Sequence, residues 1–444
     1  MRLPEITKRT RRLALVAVLL TQSLFFAFFV RNGPEIQSDN VRYEMGGWQI
    51  ANGRGLALPY SMSPDPDVRD WVCSRHPDAC TDDAYPSAQY PPGYQLFIAG
   101  VYAVAGRNLW ALAFAQWLCL LGLFVCFELL AAAHLKPVGY WFAIAIAATY
   151  PFLARQSALV MADGLHAFLL VASIAALMQM KPGLRRGLLF GFLFGAATFV
   201  RTYSIVVIPF LFVWPRIRKA FGASRKEWLS AAFVCVLPFM IWTARNAYWF
   251  GRFIPLSTTG LGAMVYLNKL EVEVGESYEA QSARKIYEAL KRNGEDPANW
   301  RLNKTLTREG LAWIAEHPVV VAGKVITRVP RLWISKGTQG QGVSHTYPIF
   351  IVWLGGLWVL GLYGMWLKRR DGRWNAVMLI ILLYWAFLLH TPAEARRTLP
   401  LRLPMLVLAG FAVEELVRRR AERKALAETN PPARDEEGDA TEAA

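Results

Sequence analysis

The chain has 444 residues, 54% of them hydrophobic and 13% aromatic, and carries a formal net charge of +16. Its mean hydropathy of +0.25 excludes an ordinary soluble domain. The Lys and Arg residues sort by loop between long apolar runs, which excludes the nucleic-acid partner that such a charge implies in a soluble protein. Those runs are continuous rather than alternating, so helices and not a barrel must satisfy the backbone in lipid.

Residues 2–12 carry Arg2, Lys8, Arg9, Arg11 and Arg12 ahead of an apolar run from Leu13 to Val30. No small-residue cleavage site follows, so the run reads as an uncleaved first span rather than a signal peptide. Further spans are predicted near 109–133, 137–153, 159–180, 186–200, 203–215, 229–249, 347–367, 374–390 and 398–417. That makes about ten transmembrane helices, judged against the roughly 20 residues that cross a hydrocarbon core. The fold class is an all-α integral membrane bundle with two large extracytoplasmic loops, 31–108 and 250–346, containing interfacial helices. The stretch from Tyr94 to Ala105 is too short to span and is expected to be re-entrant or interfacial.

Charge supports leaving that stretch out. Lys136, then Lys181, Arg185 and Arg186, then Arg216 to Lys226, then Lys368 to Arg373, all fall on the side of the N-terminus, as the positive-inside bias requires. Counting 94–105 as a span moves most of this charge outside. The expected division is a cytoplasmic N-terminus (1–12), an N-terminal transmembrane module (13–249), an extracytoplasmic loop (250–346), C-terminal spans (347–417) and a cytoplasmic tail (418–444). The polar end of that tail is expected to be disordered. In the first outer loop Cys73 and Cys80 fit either a local disulfide or two free thiols. Cys119, Cys126 and Cys235 fall in spans and read as packing residues. In the second outer loop, helices are expected near 278–292 and 304–316, and an amphipathic segment near 317–335.

Ionisable groups at the membrane are costly and are therefore functional candidates. Asp39, just past the first span, is either a carboxylate facing the lipid headgroups or a solvated helix N-cap. Asp163 falls at the outer end of the fourth span and needs a partner, with Arg155 or an arginine of another helix available; it reads equally as a functional group or a structural ion pair. Arg201, Arg245, Arg396 and Arg397 lie at outer ends, against the positive-inside bias. A guanidinium fork suits phosphate oxygens, and interfacial snorkelling is the alternative. His76, His317 and His390 show no metal-ligand spacing, and no Walker loop, nucleophile elbow or zinc signature occurs.

The motif order resembles the membrane-embedded GT-C superfamily of polyprenyl-phosphate-sugar-dependent glycosyltransferases, near glycosyltransferase family 39, which includes the protein O-mannosyltransferases, and the lipid A aminoarabinose transferase group. The motifs are Asp39 with Tyr43 and Gly53-Arg54-Gly55; Tyr90-Pro91-Pro92-Gly93-Tyr94; Ala158 to Asp163; Gly191 to Arg201; Arg245-Asn246 with Phe250 to Thr258; and Glu394 to Pro404. Two departures stand out. Asp39 is followed by Asn40 where the family often has a second carboxylate, and Arg396-Arg397-Thr398 lacks the family's aromatic.

The resemblance implies an inverting transferase at the outer face. Its donor would be a polyprenyl-phosphate-linked sugar. Its acceptor would be an envelope glycan, lipid or protein hydroxyl. Asp39 would be the base. Arg396 or Arg397 would neutralise the leaving phosphate, with Arg201 or Arg245 as alternatives. Asp163 would orient an arginine, bind a divalent metal ion or position the acceptor. Tyr43, Tyr90, Pro91, Pro92 and Tyr94 would wall the lipid cavity. A divalent metal ion is the one candidate cofactor. The expected location is a bacterial inner membrane, with both termini cytoplasmic and the site facing the periplasm. The competing readings are a lipid-linked saccharide polymerase or ligase, and a flippase.

Overall fold

The computed structural model describes residues 6–34, 36, 39–59, 66–81, 84–257, 266, 269, 300–334, 348–389 and 395–429. Helix α1 (Lys8–Val30) opens on a capping box between Thr7 and Thr10, which pairs amides that a helix start leaves free. Then come α2 (Asp39–Ala51), β1 (Ala57–Pro59), α3 (Pro66–Arg75), β2 (Ala84–Pro86) and α4 (Gly93–Ala105). The core of the N-terminal module is α5 (Leu109–His134), α6 (Pro137–Thr149), α7 (Phe152–Ala158), α8 (Ala162–Gln179) and α9 (Leu184–Val200). A 3-10 turn (Thr202–Val206) leads to α10 (Val207–Val213), α11 (Pro215–Ala220) and α12 (Arg225–Phe250). The C-terminal part holds α13 (Trp300–Glu316), α14 (Pro318–Ile334), α15 (Pro348–Lys368), α16 (Gly372–Leu388), a 3-10 turn (Ala395–Thr398) and α17 (Leu399–Thr429). Among the described residues the one sheet is the antiparallel pair β1–β2, with Leu58 opposite Tyr85.

The molecule is an all-α membrane protein. Among the described residues, by length and composition, α1, α5, α8 and α12 can each cross a membrane alone, and α6 with α7, bent by 44°, makes a fifth where the pair is counted as one span. The bend falls at Tyr150-Pro151, where proline excludes the preceding residue from helical backbone; Tyr150 is extended. The other predicted spans are also helical; α15 has 21 residues and α17 has 31, and the remaining three are shorter. Both α9 and α16 have 17 residues, and α10 stops at extended Trp214 because Pro215 follows it. The expected helix near 278–292 and the tail end beyond 429 lie outside the described residues.

Helix ends are joined by ion pairs, part-buried at Arg11 and buried at Arg186. Arg11 near the start of α1 meets Glu128 near the end of α5 at 2.8 Å. Arg186 in the first turn of α9 meets Glu227 in the first turn of α12 at 2.6 Å. Lipid offers no hydrophobic gain for helix association, so close packing must supply it. Along α9, Gly187, Gly191 and Gly195 supply it against α12, since a Cβ at each would collide with the carbonyl oxygens of Glu227, Ala231 and Cys235.

Helix α4 is interfacial or re-entrant in length, as the sequence implies, and it packs on α2. Gly46 and Gly47 of α2 leave room for Gln95 and Ile98 of α4. Tyr94, Ile98 and Tyr102 are buried in the cluster that this pair forms with the start of α8. Helix α14 is one-sided: Leu332 and Trp333 are buried, while Val319 and Ile326 are exposed.

Candidate active site

The site is assembled where α8 begins and α9 ends. The Tyr90-Pro91-Pro92-Gly93-Tyr94 motif starts α4 directly on that end of α9, because Gly93 has no side chain: a Cβ there would sit 2.6 Å from the carbonyl oxygen of Phe199. Pro92 is the N-cap and buried, and Pro91 is half-buried. Tyr43 of α2 packs against Tyr90 and Tyr94, with ring centroids 5.1 Å and 5.3 Å apart. Arg42 donates to the Tyr90 hydroxyl at 3.1 Å. Tyr94 donates to Gln116 of α5. Gln116 in turn donates to the carbonyls of Ser157 and Leu159, at 2.6 Å and 2.8 Å, and so fixes the link from α7 to α8.

Asp163 lies in the first turn of α8, where the helix dipole favours a carboxylate. It is buried, and its Oδ2 accepts from Arg201 Nη2 at 2.8 Å. Arg201 Nη1 donates to the Tyr203 hydroxyl at 3.2 Å. Burial is the largest single influence on Arg201 and works against its charge, but Asp163 together with Tyr203, Tyr43 and Tyr384 outweighs it, and the pKa of the guanidinium rises well above its ordinary value. Arg201 Nε is buried and has no acceptor.

The Ala395–Thr398 turn brings in two further arginines. Arg396 Nη1 lies 4.0 Å from Met161 Sδ, two residues before Asp163. The Arg397 guanidinium lies 5.9 Å from the Tyr203 ring centre. Thus Asp163, Arg201, Arg396 and Arg397 gather around Tyr203 and Met161. Tyr384 of α16 holds this turn, donating to the Arg397 carbonyl at 3.1 Å. The same hydroxyl lies 3.2 Å from His166 Nε2, and His166 Nδ1 lies 2.7 Å from the Ala197 carbonyl. A carbonyl only accepts, so Nδ1 carries a proton. With a neutral imidazole, the single Tyr384 proton is then shared between His166 Nε2 and the Arg397 carbonyl.

Polar atoms are left over at this pole. Ser157 Oγ borders Gly164, the neighbour of Asp163. Ser157 Oγ, Ser204 Oγ, Arg201 Nε and both amide atoms of Gln156 are buried without partners. Each such group costs about 1–3 kcal/mol unless a ligand or water meets it.

Asp39 occupies the first position of α2, one turn before Tyr43. Its side chain lies outside the described residues. Arg245 is not brought to the others. Its Nη1 donates to the Ser87 carbonyl at 2.9 Å and its Nη2 to the Leu56 carbonyl at 3.0 Å, which ties the β1–β2 pair to α12. Cys73 and Cys80 are disulfide-bonded, and His76 between them packs against Tyr248, tilted, and Trp249, edge-on, at the end of α12. His390 lies outside the described residues.

Among the described residues, no three His, Cys, Asp or Glu side chains group as metal ligands. Asp163 is engaged by Arg201. This donor set does not fit a divalent ion, so no step is routed through one.

Sequence reasoning missed His166, Tyr203 and Tyr384. His166 carried a signal, a polar residue inside an apolar run one turn after Asp163. Glu44 was also passed over. It is buried and bidentate to Arg107 at 2.8 Å, with the Tyr102 hydroxyl at 2.9 Å. This pair staples α2 to the turn before α5.

No family model and no curated protein matches the chain. Solved structures do. One is the archaeal oligosaccharyltransferase AglB from Archaeoglobus fulgidus, in complex with an inhibitory peptide and a dolichol-phosphate. It is 15% identical with a TM-score of 0.48, over 94% of this chain and 52% of that one, so the chain spans about half its length. Another is ArnT from Cupriavidus metallidurans bound to undecaprenyl phosphate, 12% identical with a TM-score of 0.37, over 95% of this chain and 80% of that one.

Proposed function

We propose that the chain is an inverting glycosyltransferase that moves a sugar from a polyprenyl-phosphate donor to an acceptor hydroxyl at the outer face of the membrane. The observation that carries this reading is the gathering of the Asp163–Arg201 pair with Arg396 and Arg397 at the pole where α2, headed by Asp39, and α4 also pack. The motif resemblance supports the same reaction class.

In this mechanism Asp39 takes the acceptor proton as the hydroxyl oxygen attacks the anomeric carbon. The bond from that carbon to the phosphate oxygen breaks, and its electron pair leaves with the phosphate. Arg396 and Arg397 offset the charge that develops on the leaving group, and Arg201 adds its spare Nε donor. Asp163 holds Arg201 in place rather than reacting. Tyr43, Tyr90 and Tyr94 wall the donor's apolar side. The carrier is undecaprenyl phosphate, in a bacterial inner membrane with the site facing the periplasm. The acceptor is an envelope glycan, lipid or protein.

A flippase would place charge along a path through the midplane. The described ion pairs between these helices lie at helix ends instead: Arg11–Glu128, Arg186–Glu227 and Asp163–Arg201. Reconstituted protein with radiolabelled polyprenyl-phosphate sugars and an envelope acceptor fraction tests the proposal. Transfer by wild type, lost in Asp39→Asn, is the expected result. Lipid scrambling in vesicles without any transfer would favour the flippase.

A further inference from the structure

The pole opposite the candidate active site holds a polar cavity of about 390 Å³, lined by His134, Met178, Ala220, Asp371, Arg373 and Trp374 among others. Helix ends build it. His134 ends α5, Met178 is next to last in α8, Ala220 ends α11, and Asp371 caps the start of α16. Gly372 lets α11 approach this corner, since a Cβ there would come 2.9 Å from the Ala220 Cβ. Asp163 precedes Met178 on α8 by about four turns, or about 22 Å of helix, so the two sites lie at opposite ends of α8.

Three side chains in the lining keep unused polar functions. Asp371 accepts through Oδ1 from the amides of Arg373 and Trp374, at 3.0 Å and 3.3 Å, and its Oδ2 has no partner among the described residues. The Arg373 guanidinium is exposed and forms no hydrogen bond or ion pair among the described residues. Gln179 Nε2 lies 3.2 Å from His134 Nε2. An amide nitrogen only donates, so His134 Nε2 accepts and Nδ1 carries the proton. That N–H also has no partner among the described residues. Buried Trp374 steadies the imidazole, standing edge-on to it at 5.3 Å.

These unused functions are of both signs. A guanidinium and an imidazole N–H suit phosphate oxygens, and a carboxylate oxygen suits an ammonium. A simple anion would meet Asp371, and a simple cation would meet Arg373. A ligand that carries both charges satisfies all three groups. The depth of the cavity points to lipid as its source. It lies where α5 and α8 stop and α16 starts, Lys136 and Lys181 follow those two ends in the sequence, and a tryptophan at this level is a common anchor of the membrane interface. Met178 and Ala220 give the lining an apolar part.

We propose that this cavity binds the headgroup of phosphatidylethanolamine from the leaflet on the side of the basic loops. The phosphate sits on Arg373 and the His134 Nδ1–H, and the primary ammonium donates to Asp371 Oδ2. Phosphatidylcholine lacks that bond, because its quaternary nitrogen has no hydrogen. Phosphatidylglycerol has no cation and brings its negative charge against Asp371. Soluble glycerophosphoethanolamine has the same headgroup but no acyl chains to hold it at this depth.

Native mass spectrometry of the full chain in detergent, loaded in turn with dioleoyl phosphatidylethanolamine, phosphatidylcholine and phosphatidylglycerol, tests this without any transfer assay. Phosphatidylethanolamine is expected to be retained roughly tenfold over each of the others, the worth of one charge-assisted hydrogen bond. Asp371→Asn keeps the helix cap, since asparagine caps as well as aspartate, and should bring phosphatidylethanolamine down to the phosphatidylcholine level. Arg373→Gln, at an exposed position, should lower its retention by a similar factor. Glycerophosphoethanolamine at the same concentration should leave the bound lipid in place. Equal retention of the three lipids, an unchanged preference in Asp371→Asn, wild-type retention in Arg373→Gln, or displacement by glycerophosphoethanolamine would each overturn the proposal.

Discussion

Arg201 is held on one side by Asp163 and keeps a buried Nε donor on the other. Removing the carboxylate leaves a buried guanidinium unpaired, a change that costs about 3–5 kcal/mol in comparable pairs. Asp163→Asn is therefore expected to lower thermal stability and donor affinity together, read by melting and by polyprenyl-phosphate binding. Asp163→Glu should recover part of both. Arg245 makes the opposite forecast. Its guanidinium is used on two carbonyls, so Arg245→Ala should cost about 2–4 kcal/mol of stability, while the donor affinity of the folded fraction stays at wild-type level. A large loss of affinity at unchanged melting would show that Arg245 belongs to the site. At this scale the sequence exposed Asp163 and Arg201, because a charge beside an apolar run needs a reason. It left the partner of Asp163 open, because the two residues are joined only by the antiparallel packing of α8 on α9. The Tyr384–His166 contact crosses from α16 to α8 and leaves no trace in local sequence.

At the scale of elements, the Pro-Pro-Gly motif has a steric explanation. Pro92 starts α4, and Gly93 lets that start rest on the Phe199 carbonyl next to Arg201. Gly93→Val is expected to push α4 off α9 and abolish transfer while α1 to α12 still insert; full transfer by that variant would remove the contact from the account. On α9, Gly191→Leu should separate α9 from α12 and destabilise the fold, since the added side chain meets the Ala231 backbone. The sequence located these helices well, because apolar runs between basic loops mark spans directly. It read 137–153 as one span, but Pro151 breaks that stretch into α6 and α7 with a 44° bend. It anticipated the short α4 by length alone, yet could not show what α4 packs on.

Across the whole molecule, ion pairs tie neighbouring helix termini together, and the basic loops collect at the pole away from the site. A cysteine at exposed Lys226 should therefore be shielded from an impermeant maleimide in intact spheroplasts, and one at exposed Arg54 should be labelled. The reverse pattern would invert the orientation and move the site to the cytoplasm. Charge in the sequence groups these loops on one side, and the labelling tests which side that is. The location of the site was legible only in outline, because it depends on bringing the Ala395–Thr398 turn against the start of α8, more than two hundred residues earlier.

The central claim is that this pole transfers a sugar from a polyprenyl phosphate, with Asp39 as base. The most direct test is a transfer assay on purified wild type and Asp39→Asn in lipid, with a panel of radiolabelled polyprenyl-phosphate sugars and an envelope acceptor fraction. Label reaching the acceptor with wild type, and at least a hundredfold less with a folded Asp39→Asn protein, is the result predicted from a lost general base. Equal transfer by both proteins would contradict the role of Asp39, and transfer by neither from any donor would contradict the reaction itself.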